Sequence, residues 1–301
     1  MHNIKSNFDK IYLTIKSLNL DFFDESGNLA KPGRTSQFSD LEVISLALTA
    51  EYMSLDSENW LFGKIKSDFK HEFTHLIDRS RYNRRKRQLF PILEKIRQKL
   101  ASRFLEFEEY FIVDSMPLEV CKIVREKRSK ICKDHFESAP DKGFCASQDF
   151  WFYGYKLQGI SSVNGVFHSL ELTKASVHDA TFLKHANTQL ADCVLIGDKG
   201  YLSASLQLDL FHSANIQLET PMRTNQIKYK KQDWLFRKSR KRLETLFSQL
   251  CDQFMIRRNY AKSFQGFKTR ILAKITALTI IQFINKFDFN RPINNLKVAI
   301  T

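Results

Sequence analysis

Three acidic side chains that are far apart in the sequence have positions suited to shared chemistry. Asp114 and Asp198 each follow a short hydrophobic run that is typical of a strand, and turn-forming residues come directly after them. Because the carboxyl ends of neighbouring strands in an open α/β sheet face one crevice, we expect these two side chains to lie close together. Glu244 lies on a predicted helix, after a run of cations. Carboxylates that meet in one crevice repel each other, so their charged forms need a compensating cation.

Each acid, taken alone, also has an ordinary structural explanation. An Asp after a strand is commonly a turn former or a helix cap. Glu244 follows Arg240 by one helical turn, the spacing of a simple ion pair. The functional interpretation therefore depends on the three acids occurring together, in this order, on this pattern of strands.

The elements that must position these acids are predicted as a helical region followed by a mixed sheet. Ser39 and Glu42 have the spacing of a capping box at the start of a helix. A strand is predicted from Tyr110 to Val113, with a break at Pro117. Further strands are predicted over 152–160, 165–172, 193–196 and 215–218, and further helices over 57–65, 89–100, 178–190, 203–212, 238–254 and 267–287. This order is typical of a mixed sheet with helices on its faces.

The charge balance indicates a polyanionic partner. Lys and Arg total 47 against 33 Asp and Glu, which gives a formal net charge of +14. Nucleic acid is the commonest partner of so basic a chain, although ribosome-like packing, an acidic protein or a membrane surface also fits. The five scattered cysteines contain no C-x-x-C pair, so neither a zinc ribbon nor a disulfide framework is predicted.

Two cationic regions are candidates for DNA contact. The first contains Arg79, Arg81, Arg84, Arg85, Lys86 and Arg87, with Tyr82 and Asn83 as candidates for touching a base or sugar. The second contains Lys228, Lys230, Lys231, Arg237, Lys238, Lys241 and Arg242, with Tyr229 and Trp234 among them, and Arg240 is a further candidate for contact with a phosphate. Aromatic residues between cations suit unpaired or distorted DNA, because a base can stack on them. For Trp234 the alternative is an anchor in the core.

Three blocks of sequence surround the acids: Phe111–Ser115, Leu195–Tyr201 and Arg240–Phe247. With these blocks the chain resembles the DDE transposases of bacterial insertion sequences, and most closely the insertion sequence family 982. The resemblance covers nearly the whole chain and extends to segments 39–58 and 79–85. It also includes the pair His178 and Asp179, where Asp179 is a candidate helix cap.

The resemblance implies an α/β fold with an RNase H-like (retroviral integrase-like) mixed sheet and flanking helices, preceded by an α-helical N-terminal domain. It also implies that Asp114, Asp198 and Glu244 form the catalytic, metal-binding acidic triad. Related enzymes carry a Tyr, an Arg, the catalytic Glu and a Lys along the last catalytic helix. Arg240 matches the Arg, whereas Arg237 and Cys251 occupy the positions expected for Tyr and Lys.

The physical chemistry of the triad agrees with that assignment. Oxygen ligands without His or Cys suit Mg²⁺ or Mn²⁺ rather than zinc. Two such ions, about 3.5–4 Å apart, would hold the attacking and the leaving oxygen of an in-line displacement. We predict that Asp114 bridges both ions, with Asp198 on one and Glu244 on the other. Water would free a 3′-hydroxyl at the end of the element, and that hydroxyl would then attack target DNA.

The predicted organisation is a helical N-terminal DNA-binding domain over 1–105, an RNase H-like catalytic domain over 106–287 and a C-terminal tail over 288–301. The predicted partner is double-stranded DNA, as terminal inverted repeats and as target. A homodimer is expected in the DNA complex because two ends must be joined. We expect a bacterial cytoplasmic, nucleoid-associated protein without membrane contact, because the sequence shows neither a spanning segment nor a secretory signal.

Two other functions compete with this one. A non-catalytic DNA-binding regulator derived from a transposase remains an alternative, and the intact acids argue against it. A Rossmann-type enzyme is disfavoured because no G-x-G-x-x-G fingerprint follows a strand.

Overall fold

The computed structural model describes residues 3–222, 229 and 231–301, and the chain divides into two compact units. Unit 1 comprises Met1–Leu100, Leu250–Ala261 and Gln265–Thr301, and unit 2 comprises Ala101–Gln249 and Lys262–Phe264. The division at 100/101 is close to the predicted boundary after residue 105. Residues 265–287, predicted as part of the catalytic domain, group instead with the N-terminal helices.

The helices and strands alternate irregularly along the chain. The helices are α1 (Ile4–Lys16), α2 (Asp40–Tyr52), α3 (Glu58–Asp68), α4 (Arg79–Gln88), α5 (Phe90–Leu105), α6 (Ala204–Ala214), α7 (Trp234–Asp252) and α8 (Phe264–Phe283). The strands are β1 (Tyr110–Cys121), β2 (Asp141–Cys145), β3 (Phe150–Ser162), β4 (Phe167–Lys174), β5 (Cys193–Ile196) and β6 (Ile216–Glu219). None of the helices within the described residues has the length and apolar character needed to cross a membrane.

In unit 1, α8 is buried along most of its length and forms ion pairs with α2. The predicted capping box is present at the start of α2, where Ser39 and Glu42 bond each other's backbone N–H groups. Lys274 of α8 is buried, forms an ion pair with Glu51 of α2 and donates to the carbonyl of Phe254 at 2.6 Å. Burial lowers the pKa of Lys274, and the charge of Glu51 opposes that shift. This buried pair is a physical reason why α8 groups with the N-terminal helices.

Unit 2 is built on a six-stranded mixed sheet in which β1 is central. The strand order is β2-β3-β1-β5-β6, and β4 also pairs with β3. The pairings of β1, β2 and β4 with β3 are antiparallel, whereas β1, β5 and β6 run parallel to one another. The mixed sheet with flanking helices and the preceding helical region confirm the predicted RNase H-like fold class.

Two features of the sheet differ from the prediction. β1 continues through Pro117, which is paired with Lys156 of β3, so the predicted break is wrong. The pairing of β1 with β5 covers only Tyr110 to Ile112, so the later part of β1 borders no ladder on that side and tolerates proline. β2 was not predicted, and it pairs with the first residues of β3.

Candidate active site

The register of β1 and β5 accounts for the proximity of Asp114 and Asp198. Ile112 is paired with Ile196 in a parallel ladder, and each aspartate follows its isoleucine by two residues. Asp114, within β1, and Asp198, just after β5, therefore lie at the same level of two neighbouring parallel strands. β5 ends at Ile196, so Asp198 follows its strand as predicted, whereas β1 continues to Cys121, so the prediction that a strand ends before Asp114 is wrong.

The backbone after β5 turns sharply and fixes the carboxylate of Asp198. Asp198 precedes a short 3₁₀ helix over Lys199–Tyr201, and its Oδ1 accepts a hydrogen bond of 2.7 Å from the N–H of Gly200. Gly197 is tightly enclosed, because a Cβ there would lie 3.2 Å from Tyr201 and from Val113. Small size at Gly197 thus allows the turn that presents Asp198 at the strand end.

Helix α7 carries the third acid and buries apolar residues on its other side. Leu243, Leu246 and Leu250 are fully buried and form an apolar stripe, whereas Glu244 is exposed. The ring of Phe247 lies 6.2 Å from that of Phe167 on β4. The contact between Phe247 and Phe167 places α7 beside β4, and the exposed side of α7 carries Glu244.

Electrostatics links the three acids. Burial is the main cause that raises the pKa of Asp114 to about 7, and the charges of Asp198 and Glu244 raise it further. The N–H of Ser115, which donates to Oδ1 of Asp114 at 2.8 Å, and the charge of Arg240 act in the opposite direction. Asp114 is therefore close enough to both other acids for their charges to act on it.

The residues fit a divalent ion in ligand type and in charge. All three candidates are carboxylates, the donors that Mg²⁺ and Mn²⁺ prefer, and a cation would relieve the repulsion that raises the pKa of Asp114. Among the residues that the structure describes, however, no three His, Cys, Asp or Glu side chains are already arranged to hold a metal ion.

Comparison with known families shows which family the chain belongs to. The family described as Transposase DDE domain matches residues 106–280, which is more than half of the chain. The chain belongs to this family of transposases. No curated protein and no solved structure matches the chain. The family match includes all three acids and extends into α8.

Family membership confirms the coarse functional prediction. It implies a transposase that binds DNA, and DDE transposases generally use divalent metal ions. The triad residues, the ion and its count, and the particular insertion sequence family remain predictions.

The first cationic region divides into exposed and structural arginines on α4. Arg79, Arg81 and Arg84 are exposed, as contact with DNA requires. Arg85 is directed inward, because its guanidinium donates to Oδ1 of Asp40 and to the carbonyl of Phe38, both at 2.6 Å. We therefore assign Arg85 to the stability of unit 1 rather than to DNA.

Two neighbours in α4 were wrongly considered for base contact. Tyr82 is 1% exposed and packs its ring 5.2 Å from that of Phe62, so no base can stack on it. Asn83 donates to both carboxylate oxygens of Glu58, at 3.1 and 3.0 Å. The Glu58 carboxylate also pairs with Lys86, so this face of α4 is fixed against α3.

The second cationic region lies at the start of α7. Lys231 and Arg237 are exposed, Arg240 and Arg242 are half-buried, and Lys228 and Lys230 lie outside the described residues. The aliphatic part of Arg242 packs on Gly165, in the turn that joins β3 and β4. Trp234 is 58% exposed with Lys238 above its ring, so the alternative of a core anchor is wrong.

Sequence reasoning missed a group of polar residues beside the aspartates. Asp179 accepts hydrogen bonds from Ser115, Lys156 and Gln158, and Tyr201 donates to Gln158. The predicted role of Asp179 as a cap belongs to His178, whose Nδ1 accepts from the N–H of Ala180 at 3.2 Å. In the sequence, the resemblance at His178 and Asp179 is the one signal that points to this group. It does not indicate which residues form hydrogen bonds with Asp179.

Proposed function

We propose that this transposase cleaves the ends of an insertion sequence by metal-dependent phosphodiester hydrolysis and transfers the freed 3′-hydroxyl end to target DNA. The observation that carries the proposal is the common level of Asp114, within β1, and Asp198, just after β5, with the charge of Glu244 acting on Asp114. The insertion sequence family 982 is the proposed subgroup.

The chain's own residues have distinct roles in this proposal. Asp114, Asp198 and Glu244 bind the divalent ions, of which we propose two, Mg²⁺ or Mn²⁺. When bound, such ions stabilise the charge that develops on the attacking and leaving oxygens. The charge of Arg240 lowers the pKa of Asp114. In this proposal Arg240 neutralises a phosphate of the bound strand and also balances the charge of Glu244.

The chemistry needs no covalent link between protein and DNA. In the first step the oxygen of water forms a bond to phosphorus, the bond from phosphorus to the 3′-oxygen breaks, and the 3′-oxygen takes up a proton. In the second step the oxygen of that hydroxyl forms a bond to the phosphorus of a target phosphodiester, the bond from that phosphorus to the target's 3′-oxygen breaks, and the proton lost by the hydroxyl is balanced by one taken up by the displaced oxygen. The three acidic side chains would bind the divalent ions in both steps.

Exposed cations on both units supply the proposed DNA contacts. On α4 these are Arg79, Arg81 and Arg84, and around the start of α7 they include Lys231 and Arg237. Trp234 offers an exposed ring for an unpaired base. We propose terminal repeats and target as double-stranded DNA partners, a homodimer in the DNA complex and a bacterial cytoplasmic, nucleoid-associated location.

The direct test replaces each acid by its amide in the full chain. Asp114→Asn, Asp198→Asn and Glu244→Gln are each expected to abolish cleavage of labelled terminal DNA in Mg²⁺ or Mn²⁺ while sparing DNA binding. Asp209→Asn, an exposed change on α6, is the matched control and is expected to cleave normally. Cleavage that survives any of the three triad changes would count against the assignment.

A second candidate is a non-catalytic DNA-binding regulator. The observation in its favour is that no ready-made three-ligand group occurs within residues 3–222, 229 and 231–301. A regulator would bind terminal DNA without nicking it at any concentration of Mg²⁺ or Mn²⁺. Metal-dependent nicking that disappears in Asp114→Asn would exclude it.

A further inference from the structure

The carboxylate of Asp179 gathers three side-chain donors beside the candidate active site. Its Oδ1 accepts from the Ser115 hydroxyl at 3.1 Å, the Lys156 ammonium at 3.0 Å and the Gln158 amide at 2.8 Å. Lys156 also donates to the carbonyl of Val177 at 2.9 Å, so its charge is fixed beside Asp179. One oxygen therefore ties the segment after β4 to the middle of β1 and β3.

The first of these bonds leads to Asp114. Ser115 donates its hydroxyl to Asp179 and its backbone N–H to Oδ1 of Asp114, at 2.8 Å. Because both donors belong to one residue, fixing the Ser115 side chain also restrains the peptide that orients the carboxylate of Asp114.

The second bond leads to Asp198. Gln158 is fully buried, and while its Nε2 donates to Asp179 its Oε1 accepts from the hydroxyl of Tyr201 at 3.2 Å. Tyr201 ends the short turn that starts after Asp198, whose Oδ1 is held by the N–H of Gly200. The charge of Asp179 thus fixes the amide orientation of Gln158, and through it the turn that carries Asp198.

We propose that Asp179 is a positioning residue that holds Asp114 and Asp198 in the relative placement needed to share divalent ions. This inference rests on the proposed function of the two aspartates. Asp179 acts through Ser115 on one side and through Gln158 and Tyr201 on the other. Its Oδ1 is occupied by three donors, which suits a support of the ligands rather than a ligand.

The test measures metal binding itself, apart from catalysis. Asp179→Asn keeps the shape of the side chain but loses the negative charge that strengthens its bond with Lys156. Residues that support metal ligands typically change metal affinity 10–100-fold, so we expect the affinity for Mn²⁺ to fall about tenfold in calorimetric titration of the full chain without DNA. The Mn²⁺ concentration for half-maximal cleavage is expected to rise in parallel, while terminal-DNA affinity stays unchanged.

Tyr201→Phe interrupts the second arm alone and provides an independent variant should Asp179→Asn not fold. It is expected to lower Mn²⁺ affinity in the same direction, and the double variant is expected to lose less than the sum of the two effects, because both act through Gln158. Asp209→Asn is again the surface control and is expected to bind Mn²⁺ normally.

The outcomes separate this inference from the proposed function. If Asp114→Asn abolishes Mn²⁺ binding while Asp179→Asn and Tyr201→Phe bind it normally, the aspartates are ligands and the positioning role is refuted. If Asp114→Asn binds Mn²⁺ as the unmodified chain does, the metal site itself is misplaced and both proposals fail.

Discussion

The adjacent residues Arg84 and Arg85 give opposite predictions for the same substitution. Arg85 donates to the Ser36 hydroxyl, the Phe38 carbonyl and the carboxylate of Asp40, whose side chain is only 2% exposed. Removing one partner of a buried ion pair costs about 3–5 kcal/mol, because the other charge is left without compensation. Lys31 still contacts Asp40 at 2.6 Å, so we expect Arg85→Ala to cost about 3 kcal/mol, at the low end of that range.

The loss is large enough to see in thermal unfolding. For a domain of this size each kcal/mol lowers the melting temperature by roughly 2–4 °C, which gives a fall of about 6–12 °C for Arg85→Ala. Arg84 is exposed, so Arg84→Ala is expected to change stability by no more than about 0.5 kcal/mol. Its effect is expected in DNA binding, where losing one phosphate contact reduces the slope of log affinity against log salt by about 0.9.

The assay is therefore a pair of measurements on the same two variants: thermal unfolding, and DNA affinity at several salt concentrations. Equal melting temperatures for the two variants would refute the structural role of Arg85, and an unchanged salt slope in Arg84→Ala would refute its phosphate contact.

The pH dependence of stability provides a further check on the pair of Arg85 and Asp40. Burial would raise the pKa of Asp40, but hydrogen bonds from Lys31 and Arg85 lower it overall, so its stabilisation is complete above pH 3.8 and is lost as pH falls further. The stability difference between Arg85→Ala and the unmodified chain is thus expected to shrink below pH 3.8.

Two further predictions concern the site and its support. The pKa of Asp114 is about 7 in the folded protein against 3.8 when unfolded, so the folded state keeps a proton that the unfolded state has lost. Metal-free protein should therefore lose stability as pH rises from 3.8 to about 7, and chemical unfolding should show a smaller loss in Asp114→Asn. Leu243 is fully buried and Leu235 is 53% exposed, both on α7. Leu243→Ala should cost about 2–5 kcal/mol and Leu235→Ala no more than about 0.5, and equal costs would contradict the packing of α7.

Local sequence signals located the elements that carry the acids. The apolar run Cys193–Ile196 coincides with β5, and the capping box of Ser39 and Glu42 is formed as expected. These features depend on neighbouring residues, such as a cap and its backbone donors, so the sequence contains them directly. The same holds for the apolar stripe of α7, because its spacing follows the helical repeat.

The features that were missed depend on contacts distant in sequence. Judged from its neighbours in sequence, Pro117 is predicted to break the strand. Proline is accepted there because β5 pairs only with the first residues of β1. Arg85 is chemically the same as Arg84, and the presence of Asp40 opposite one of them decides its role. Asp179 likewise gains its partners from β1 and β3, which periodicity within its own segment cannot reveal.

The meeting of Asp114 and Asp198 must be enforced by the core, because the two charges oppose it. A shift of one residue in the pairing of β1 with β5 would turn every side chain of β5 to the opposite face of the sheet. Leu195 and Ile196 are fully buried on opposite faces of the sheet, so such a shift would force each side chain into space that is packed around the other. β6 pairs with all of β5 on its other side and adds a second ladder that resists slippage. The apolar residues before each aspartate thus set the distance between the carboxylates, while Arg240, the Asp179 network and a bound cation act on a placement that the sheet has already fixed.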